Sequence, residues 1–356
     1  MISAFAPLSP HVWSRPRARV LPFPLGEPGC LLFSRGRHGL WQGVRALGLR
    51  AGDEVLVPAY HHGSEVEALV SAGLVCRFYG AGETLRPDET ELASSLGPRT
   101  RALHLIHNLG FPQDAPRWRR WCDAHGLVLI EDAAQAWLAC VDGRPLGSFG
   151  DLSIACLYKT FGLPDGVAVV CRVPLPGVAP RARVGLRGLA AEHALWLATR
   201  SAPIGRLVSS LRPPGVRRAA DDIALGDPTL APCAATRWVV PRVADAGAAA
   251  TRRAHYRRLL GDLAPRVPPE FRDVPDGASP LALPIWSADK RALIARLARE
   301  HIRALDLWTR PHPALPVDQF PYAARLRASL VGLPVHQELA ADDLERMVDG
   351  VRRAEP

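Results

Sequence analysis

Between residues 31 and 170 short apolar runs alternate with amphipathic stretches, the pattern of a mostly parallel sheet covered by helices. Helical spacing covers 39–49, 65–72, 89–96 and 114–125, while 54–58, 74–79, 102–107 and 127–130 read as strands. The last of these runs directly into Glu131 and Asp132. Two further strands are expected over 152–157 and 167–171, with Lys159 on the connection between them.

Beyond that the pattern changes. Residues 174–232 are rich in proline and arginine with weak periodicity, and read as a crossover. A long helical pattern fills 234–263, followed by a strand over 280–286 and helices over 290–301 and 341–353. The fold class is therefore α/β, with a large domain over 1–205, a crossover over 206–233 and a smaller α/β domain over 234–356.

Composition narrows the class. With 356 residues, 48% of them hydrophobic, the chain can bury a sizeable core. Its 34 prolines and 30 glycines are spread between periodic segments, as turn punctuation is. The seven cysteines show no C-x-x-C pairing, so neither a disulfide framework nor a zinc site is expected, and the cytoplasm is the natural compartment. Prolines at 7, 10, 16, 22 and 24 interrupt any signal-peptide core, and no apolar run is long enough to span a membrane. The net charge of +9 lies throughout the chain without interleaved aromatics, which argues against nucleic acid; a phosphorylated small ligand accounts for part of it.

Of the 44 lysines and arginines, 42 are arginine; lysine stands only at Lys159 and Lys290. Arginine replaces lysine readily on a solvated surface, but it cannot condense with a carbonyl as a primary amine does. Lys290, inside a helical pattern, reads as surface charge. Lys159 lies ahead of Thr160-Phe161-Gly162-Leu163-Pro164-Asp165-Gly166, a loop of small and turn-forming residues.

Asp132 should project at the carboxyl edge of the sheet, where open α/β folds bind ligands. A carboxylate there can hold a pyridine nitrogen protonated and so keep the ring a good electron sink. The competing reading is an ordinary N-cap, because Ala133-Ala134-Gln135-Ala136 is helix-prone. Nearer the start, Ser34-Arg35-Gly36-Arg37-His38-Gly39 precedes a helix and offers amides and guanidinium groups to a phosphate. No G-x-G-x-x-G follows a strand, so a dinucleotide fingerprint is missing.

Four segments together resemble the DegT/DnrJ/EryC1/StrS family of aminotransferases that use pyridoxal 5′-phosphate (PLP). They are Gly36-Arg37-His38-Gly39-Leu40 through Gly48, Gly52-Asp53-Glu54-Val55-Leu56-Val57-Pro58, His107-Asn108-Leu109-Gly110-Phe111-Pro112, and Glu131-Asp132-Ala133-Ala134-Gln135-Ala136 with Gly147-Ser148-Phe149-Gly150-Asp151. The last matches E-D-A-A-Q-A…G-S-x-G-D almost residue for residue, and weaker likeness continues at Arg252-Arg253 with Tyr256 and at Leu333-Pro334-Val335-His336.

The resemblance implies the fold type I PLP-transferase fold. It also implies roles: Lys159 holds the cofactor, Asp132 pairs with the pyridine nitrogen, Gln135 lies near the phenolic oxygen, Gly36 and Arg37 form the phosphate turn, and His62 takes the place of a stacking aromatic. Two departures stand out. The serine that usually precedes the lysine is displaced, leaving Ser153 as the expected phosphate ligand with Cys156 as the other candidate. The segment that reaches into a partner's site is unrecognisable around 232–238, where only Arg237 could serve.

The expected activity is amino transfer from an amino-acid donor to a keto acceptor, a keto-sugar nucleotide or a related carbonyl, in a homodimer. Lys159 would then be both anchor and general acid/base. The acceptor pocket is expected from 174–232 with Arg310, His312 and His336. The alternatives are another PLP reaction on an amino acid, such as decarboxylation or substitution, and a regulatory protein that keeps only the fold.

Overall fold

The computed structural model describes residues 1–80, 82–176, 184–211 and 223–354. Its centre is a seven-stranded sheet built from β1 (Leu31–Phe33), β2 (Glu54–Pro58), β3 (Val75–Tyr79), β4 (Thr100–Ile106), β5 (Val128–Asp132), β8 (Leu152–Cys156) and β9 (Val167–Cys171). The order is β1-β9-β8-β5-β4-β2-β3; the run from β8 to β3 is parallel, and β9 and β1 pair antiparallel at one side. A two-stranded hairpin, β6 (Cys140–Val141) and β7 (Arg144–Pro145), sits between β5 and β8 in the chain. This is the α/β fold that the alternating pattern predicts.

Covering helices are α1 (Gly36–Ala46), α2 (Ser64–Ser71), α3 (Glu89–Ser94) and α4 (Ala115–Ala124). α1 lies close on the sheet because glycines line its inner face. A Cβ at Gly39 would fall 2.4 Å from Val169 Cγ2, and one at Gly43 would fall 2.4 Å from Leu152 Cδ1. At the helix start, a Cβ at Gly36 would meet Ile154 Cγ2 at 3.5 Å, so the helix begins over β8. It starts three residues earlier than its apolar spacing suggests, since residues 36–38 carry little hydrophobic signal.

Two expectations over 174–263 need correction. The weakly periodic stretch contains α5 (Leu186–Arg200) and α6 (Ala202–Leu211), separated by extended Ser201. They escape pattern reading because Leu186, Leu197, Ile204 and Leu207 are exposed, which blurs any single apolar stripe. The long helical pattern is two helices, α7 (Ala234–Val243) and α8 (Ala248–Leu263). Pro241 withholds an amide within α7, Ala244 turns extended, and Asp245 Oδ1 accepts from Gly247 N at 2.8 Å before α8 begins.

α7 buries Ala235, Val239, Val240 and Val243 with Leu8, Trp137 and Phe161, on the large-sheet side. α7 thus packs with the large sheet, although it lies within the smaller α/β domain expected over 234–356. That domain holds a three-stranded antiparallel sheet in the order β10-β12-β11, from β10 (Ala282–Trp286), β11 (Leu305–Asp306) and β12 (Leu330–Pro334). Around it pack α8, α9 (Lys290–Arg299), α10 (Pro321–Ser329) and α11 (Ala341–Ala354), sharing one core that includes Tyr256, Leu283, Leu297, Leu333 and Met347.

Lys290 is not the surface lysine its helical setting suggests. Its Nζ is buried, donates to the Leu307 and Arg327 carbonyls at 2.9 and 3.0 Å, and pairs with Asp306 Oδ1 at 2.6 Å. Its role is to tie α9 to β11 and α10.

Candidate active site

β5 and β8 are neighbours, with Glu131 opposite Ser153 and Asp132 opposite Ile154. Side chains alternate across a strand, so the four residues sort into two sets on opposite faces. Glu131 and Ser153 form one set. The Glu131 carboxylate is fully buried and accepts from the amides of Gly147 (2.6 Å), Phe149 (3.0 Å) and Gly150 (2.9 Å) and lies 3.1 Å from His107 Nε2. Because His107 Nδ1 accepts from Gln113 N at 3.0 Å, Nε2 carries the proton and donates to Glu131. Burial opposes ionisation of Glu131, but these donors outweigh it and hold its pKa below the usual carboxylate range.

Ser153 belongs to this same staple. Its hydroxyl donates to the Gly147 carbonyl and is 2% exposed, so the expectation that it ligates a phosphate gives way to a structural role. Cys156 is the β8 residue on the other face. It lies two positions beyond Ile154, which faces the first turn of α1, and burial pushes its thiol pKa up.

Asp132 and Lys159 meet at the carboxyl edge. Asp132 is not an N-cap: residues 134–138 form turns, and Oδ1 accepts from Ala134 N at 2.8 Å. Its Oδ2 lies 3.4 Å from Nε2 of His104, a fully buried residue of β4 whose ring nitrogens have no hydrogen-bond partner. Lys159 stands in the turn after β8. Burial lowers its basicity, yet the nearby Cys156, Tyr158, Asp132 and Glu65 outweigh burial, so its pKa is raised and the free amine is a cation at neutral pH. Arg35 roofs the same turn, its guanidinium 5.4 Å from the Tyr158 ring centroid.

The start of α1 has no side-chain cap, so its first-turn amides are offered to an anion at Gly36 and Arg37. His38 anchors this corner, with Nδ1 3.0 Å from Ser34 Oγ and Nε2 2.9 Å from the Leu225 carbonyl. Gln135 is fixed by Leu109 N, which donates to its Oε1 at 2.9 Å. Leu109 itself has φ +53°, and beside it a Cβ at Gly110 would fall 2.0 Å from the Ser279 carbonyl oxygen, which accounts for the glycine of the H-x-x-G-x-P segment.

His62 is half-buried beyond β2, its Nδ1 3.2 Å from Ser64 Oγ. Glu65 is buried beneath it and accepts from the His62 and Gly63 amides at 2.8 and 3.1 Å. Although burial works against ionisation, His62, His61 and the backbone amide of Glu65 itself hold its pKa down to about 2. His312 closes over this corner, Nε2 3.0 Å from Glu67 Oε2. His336 and Arg237 lie elsewhere: His336 is buried with its Nε2 3.0 Å from the Ser3 carbonyl, and Arg237 and Arg310 are exposed.

Sequence reading missed His104 and Glu65. A lone histidine in the apolar strand 100–106 and an acid on the inner face of α2 were the available signals. The donor set suits PLP: an amine and a carboxylate on adjacent strand ends, an uncapped helix start, and a buried imidazole with orphaned nitrogens behind the carboxylate. Among the described residues no group of three or more His, Cys, Asp or Glu could hold a metal ion, and no helix is long and apolar enough to cross a membrane.

Residues 23–172 match the model of the DegT/DnrJ/EryC1/StrS aminotransferase family. The chain is 34% identical over 140 residues to GDP-perosamine synthase of Vibrio cholerae, covering 38% of each protein. It is 36% identical over 145 residues to dTDP-3-amino-3,4,6-trideoxy-alpha-D-glucose transaminase of Streptomyces venezuelae, covering 39% of this chain and 38% of that one. The matched stretch thus spans about two fifths of the length of these relatives. In fold, the chain is similar to the aminotransferase TlmJ from Streptoalloteichus hindustanus, with a TM-score of 0.65 and 22% identity over 92% of this chain and 85% of that one.

Proposed function

We propose, from the match of residues 23–172 to the DegT/DnrJ/EryC1/StrS aminotransferase family, that this chain is a member of it and moves an amino group from an amino-acid donor to a keto acceptor with PLP as cofactor. The observation that carries this reading is the meeting of Lys159 and Asp132 at the ends of adjacent strands, beside the uncapped start of α1.

When bound, the cofactor supplies an electron sink for the charge left at the donor's alpha carbon. The Asp132 carboxylate, fixed by the Ala134 amide and with His104 behind it, would keep the pyridine nitrogen protonated. The amides at Gly36 and Arg37 would bind the phosphate, with Cys156 on the same sheet face as Ile154 and Ser153 on the other. Gln135, its Oε1 occupied by Leu109 N, would have Nε2 available for the phenolic oxygen, and His62 would serve as the stacking group. Lys159 Nζ would anchor the cofactor and, as a free amine, would serve as the general acid/base that moves the proton of the donor's alpha carbon.

The acceptor we assign is a keto-sugar nucleotide or a related keto sugar. Its support is the aligned cofactor half, whose relatives include a GDP-sugar synthase and a dTDP-sugar transaminase. A homodimer and a cytoplasmic setting complete the reading; seven free cysteines suit a reducing compartment.

The test is spectroscopic. Purified protein given PLP should develop a near-visible band that borohydride bleaches, with the mass tag on Lys159. Glutamate should then convert the band to that of the amine form, and the amine-loaded enzyme should aminate keto-sugar nucleotides in single turnover. A tag on another residue, or no band at all, overturns the cofactor assignment; conversion to another product overturns transamination.

A further inference from the structure

Arg252, on α8, is the bulkiest fully buried side chain among the described residues, at 1% exposure. A buried guanidinium ordinarily faces a carboxylate, because taking the charge out of water is costly. Arg252 instead donates to neutral oxygens: Nε to Gln337 Oε1 at 3.0 Å, Nη1 to the Pro280 carbonyl at 3.4 Å and Nη2 to the Thr160 carbonyl at 2.8 Å. Gln337 Nε2 donates to that same Thr160 carbonyl at 3.0 Å.

The convergence is specific. Arg252, Pro280 and Gln337 come from α8, the approach to β10 and the segment after β12, three parts of the small domain. Two of them, Arg252 and Gln337, share one target: the carbonyl of Thr160, the residue that follows Lys159, on the large domain. The other side of this turn is filled by the N-terminal segment, where a Cβ at Gly162 would fall 2.3 Å from Leu8 N. The peptide carrying the lysine is thus gripped from both sides, and only one grip carries a charge.

We propose that Arg252 is the positioning residue of Lys159: by donating to the Thr160 carbonyl it fixes the peptide plane beyond the lysine and thereby the direction in which the amine is presented. Placement of the small domain then sets the reactivity of a large-domain side chain. Burial lowers the Arg252 pKa only to about 10, so the charge persists at neutral pH and the bond to Thr160 stays charge-assisted.

This inference rests on Lys159 being the reactive amine, but it can be read without cofactor because the chain has only two lysines. The full-length protein is labelled with acetic anhydride across pH, and acetylation of Lys159 is measured by mass spectrometry against Lys290 as internal reference. Arg252→Met should change the Lys159 to Lys290 labelling ratio by about tenfold, the scale of one charge-assisted hydrogen bond, and shift its pH midpoint. Arg252→Lys should restore the ratio to within about twofold.

Arg253→Met is the structural control: Arg253 sits on the same helix and donates to the Ala278 carbonyl at 2.7 Å without touching Thr160. Should Arg252→Met fail to fold, Gln337→Leu removes the second donor and must move the ratio the same way. An unchanged ratio in the folded Arg252 variant, or in Gln337→Leu where that variant is the one that folds, overturns the proposal, as does an equal change in Arg253→Met. Absence of a PLP band in the wild type would sink the functional reading and leave this measurement intact.

Discussion

His104 Nε2 lies 3.4 Å from Asp132 Oδ2, across the pairing of β4 with β5. The histidine is fully buried and has no other ring partner, whereas the carboxylate is 12% exposed at the sheet edge. The Ala134 amide, donating to Oδ1 at 2.8 Å, sets the orientation of the carboxylate, and the imidazole stands close behind Oδ2 without hydrogen-bonding it. A set orientation is what a group must have if it is to keep a ring nitrogen protonated through a reaction.

Asp132→Asn should therefore retain the fold but lower the rate of the donor half-reaction by about 100-fold or more, because a neutral amide cannot hold the nitrogen's proton. His104→Leu should cost less, about tenfold, since it loosens the carboxylate without removing it. Stopped-flow measurement of the half-reaction checks both; an Asp132→Asn enzyme as fast as wild type would refute the pairing.

Glu131 should matter to stability more than to chemistry. Glu131→Gln removes an oxygen acceptor from a set of three amides and the His107 imidazole, and should destabilise the protein by about 2–4 kcal/mol in urea unfolding. A change below about 0.5 kcal/mol would mean that the 147–150 loop holds itself.

Three buried histidines give the fold an acid limit. Burial depresses the pKa of His38 and His61 to about 4 and that of His336 to about 3. The unfolded chain takes up these protons first as pH falls through the ordinary histidine range of about 6.5. Their contribution is fully present above that pH and is lost on the way down to about 4, at up to about 1.4 kcal/mol per pH unit for each. Unfolding free energies at several pH values between 4 and 7 should show this slope, and His336→Gln should flatten it. A flat wild-type profile would contradict the burial.

The glycines of α1 and α8 should respond oppositely to alanine. Helix propensity favours alanine over glycine by about 1 kcal/mol. At Gly261 nothing lies within 4 Å of a new Cβ, so Gly261→Ala should stabilise. At Gly39 that Cβ would sit 2.4 Å from Val169 Cγ2 in a packed core, and overpacking of about 1–3 kcal/mol outweighs propensity. Gly39→Ala should also weaken PLP binding by lifting the start of α1, measured by fluorescence titration of the cofactor.

Much of this was legible in the sequence, and the reasons differ by residue. Strand periodicity located β2, β4, β5, β8 and β9 within two residues because each is buried nearly throughout and bounded by turn residues. Asp132 and Lys159 were readable because a strand end and a rare residue type mark them. Glu131 and Asp132 look alike in sequence, yet they face opposite sides of the sheet, Glu131 into the 147–150 loop and Asp132 toward His104. Arg252 was marked only by the weak likeness at 252–256: among 42 arginines, nothing local signals that one is buried against a carbonyl 92 residues away. The break between α7 and α8 was hidden by continuous helical spacing on either side of Ala244.

The assignment of the phosphate side of the site turns on strand parity, and a pair of substitutions separates the two candidates on β8. Ser153 faces Glu131 and fastens Gly147, while Cys156 shares the face of Ile154 beneath the first turn of α1. Ser153→Ala should accordingly lower the thermal midpoint by several degrees while leaving PLP affinity within about twofold, because the lost bond belongs to the loop. Cys156→Ser replaces a weak donor by a stronger one at the same place and should tighten PLP binding several-fold; Cys156→Ala should weaken it. If Ser153→Ala weakens the cofactor more than Cys156→Ala does, parity has been misread, and the hydroxyl must leave Gly147 for the phosphate when the cofactor binds.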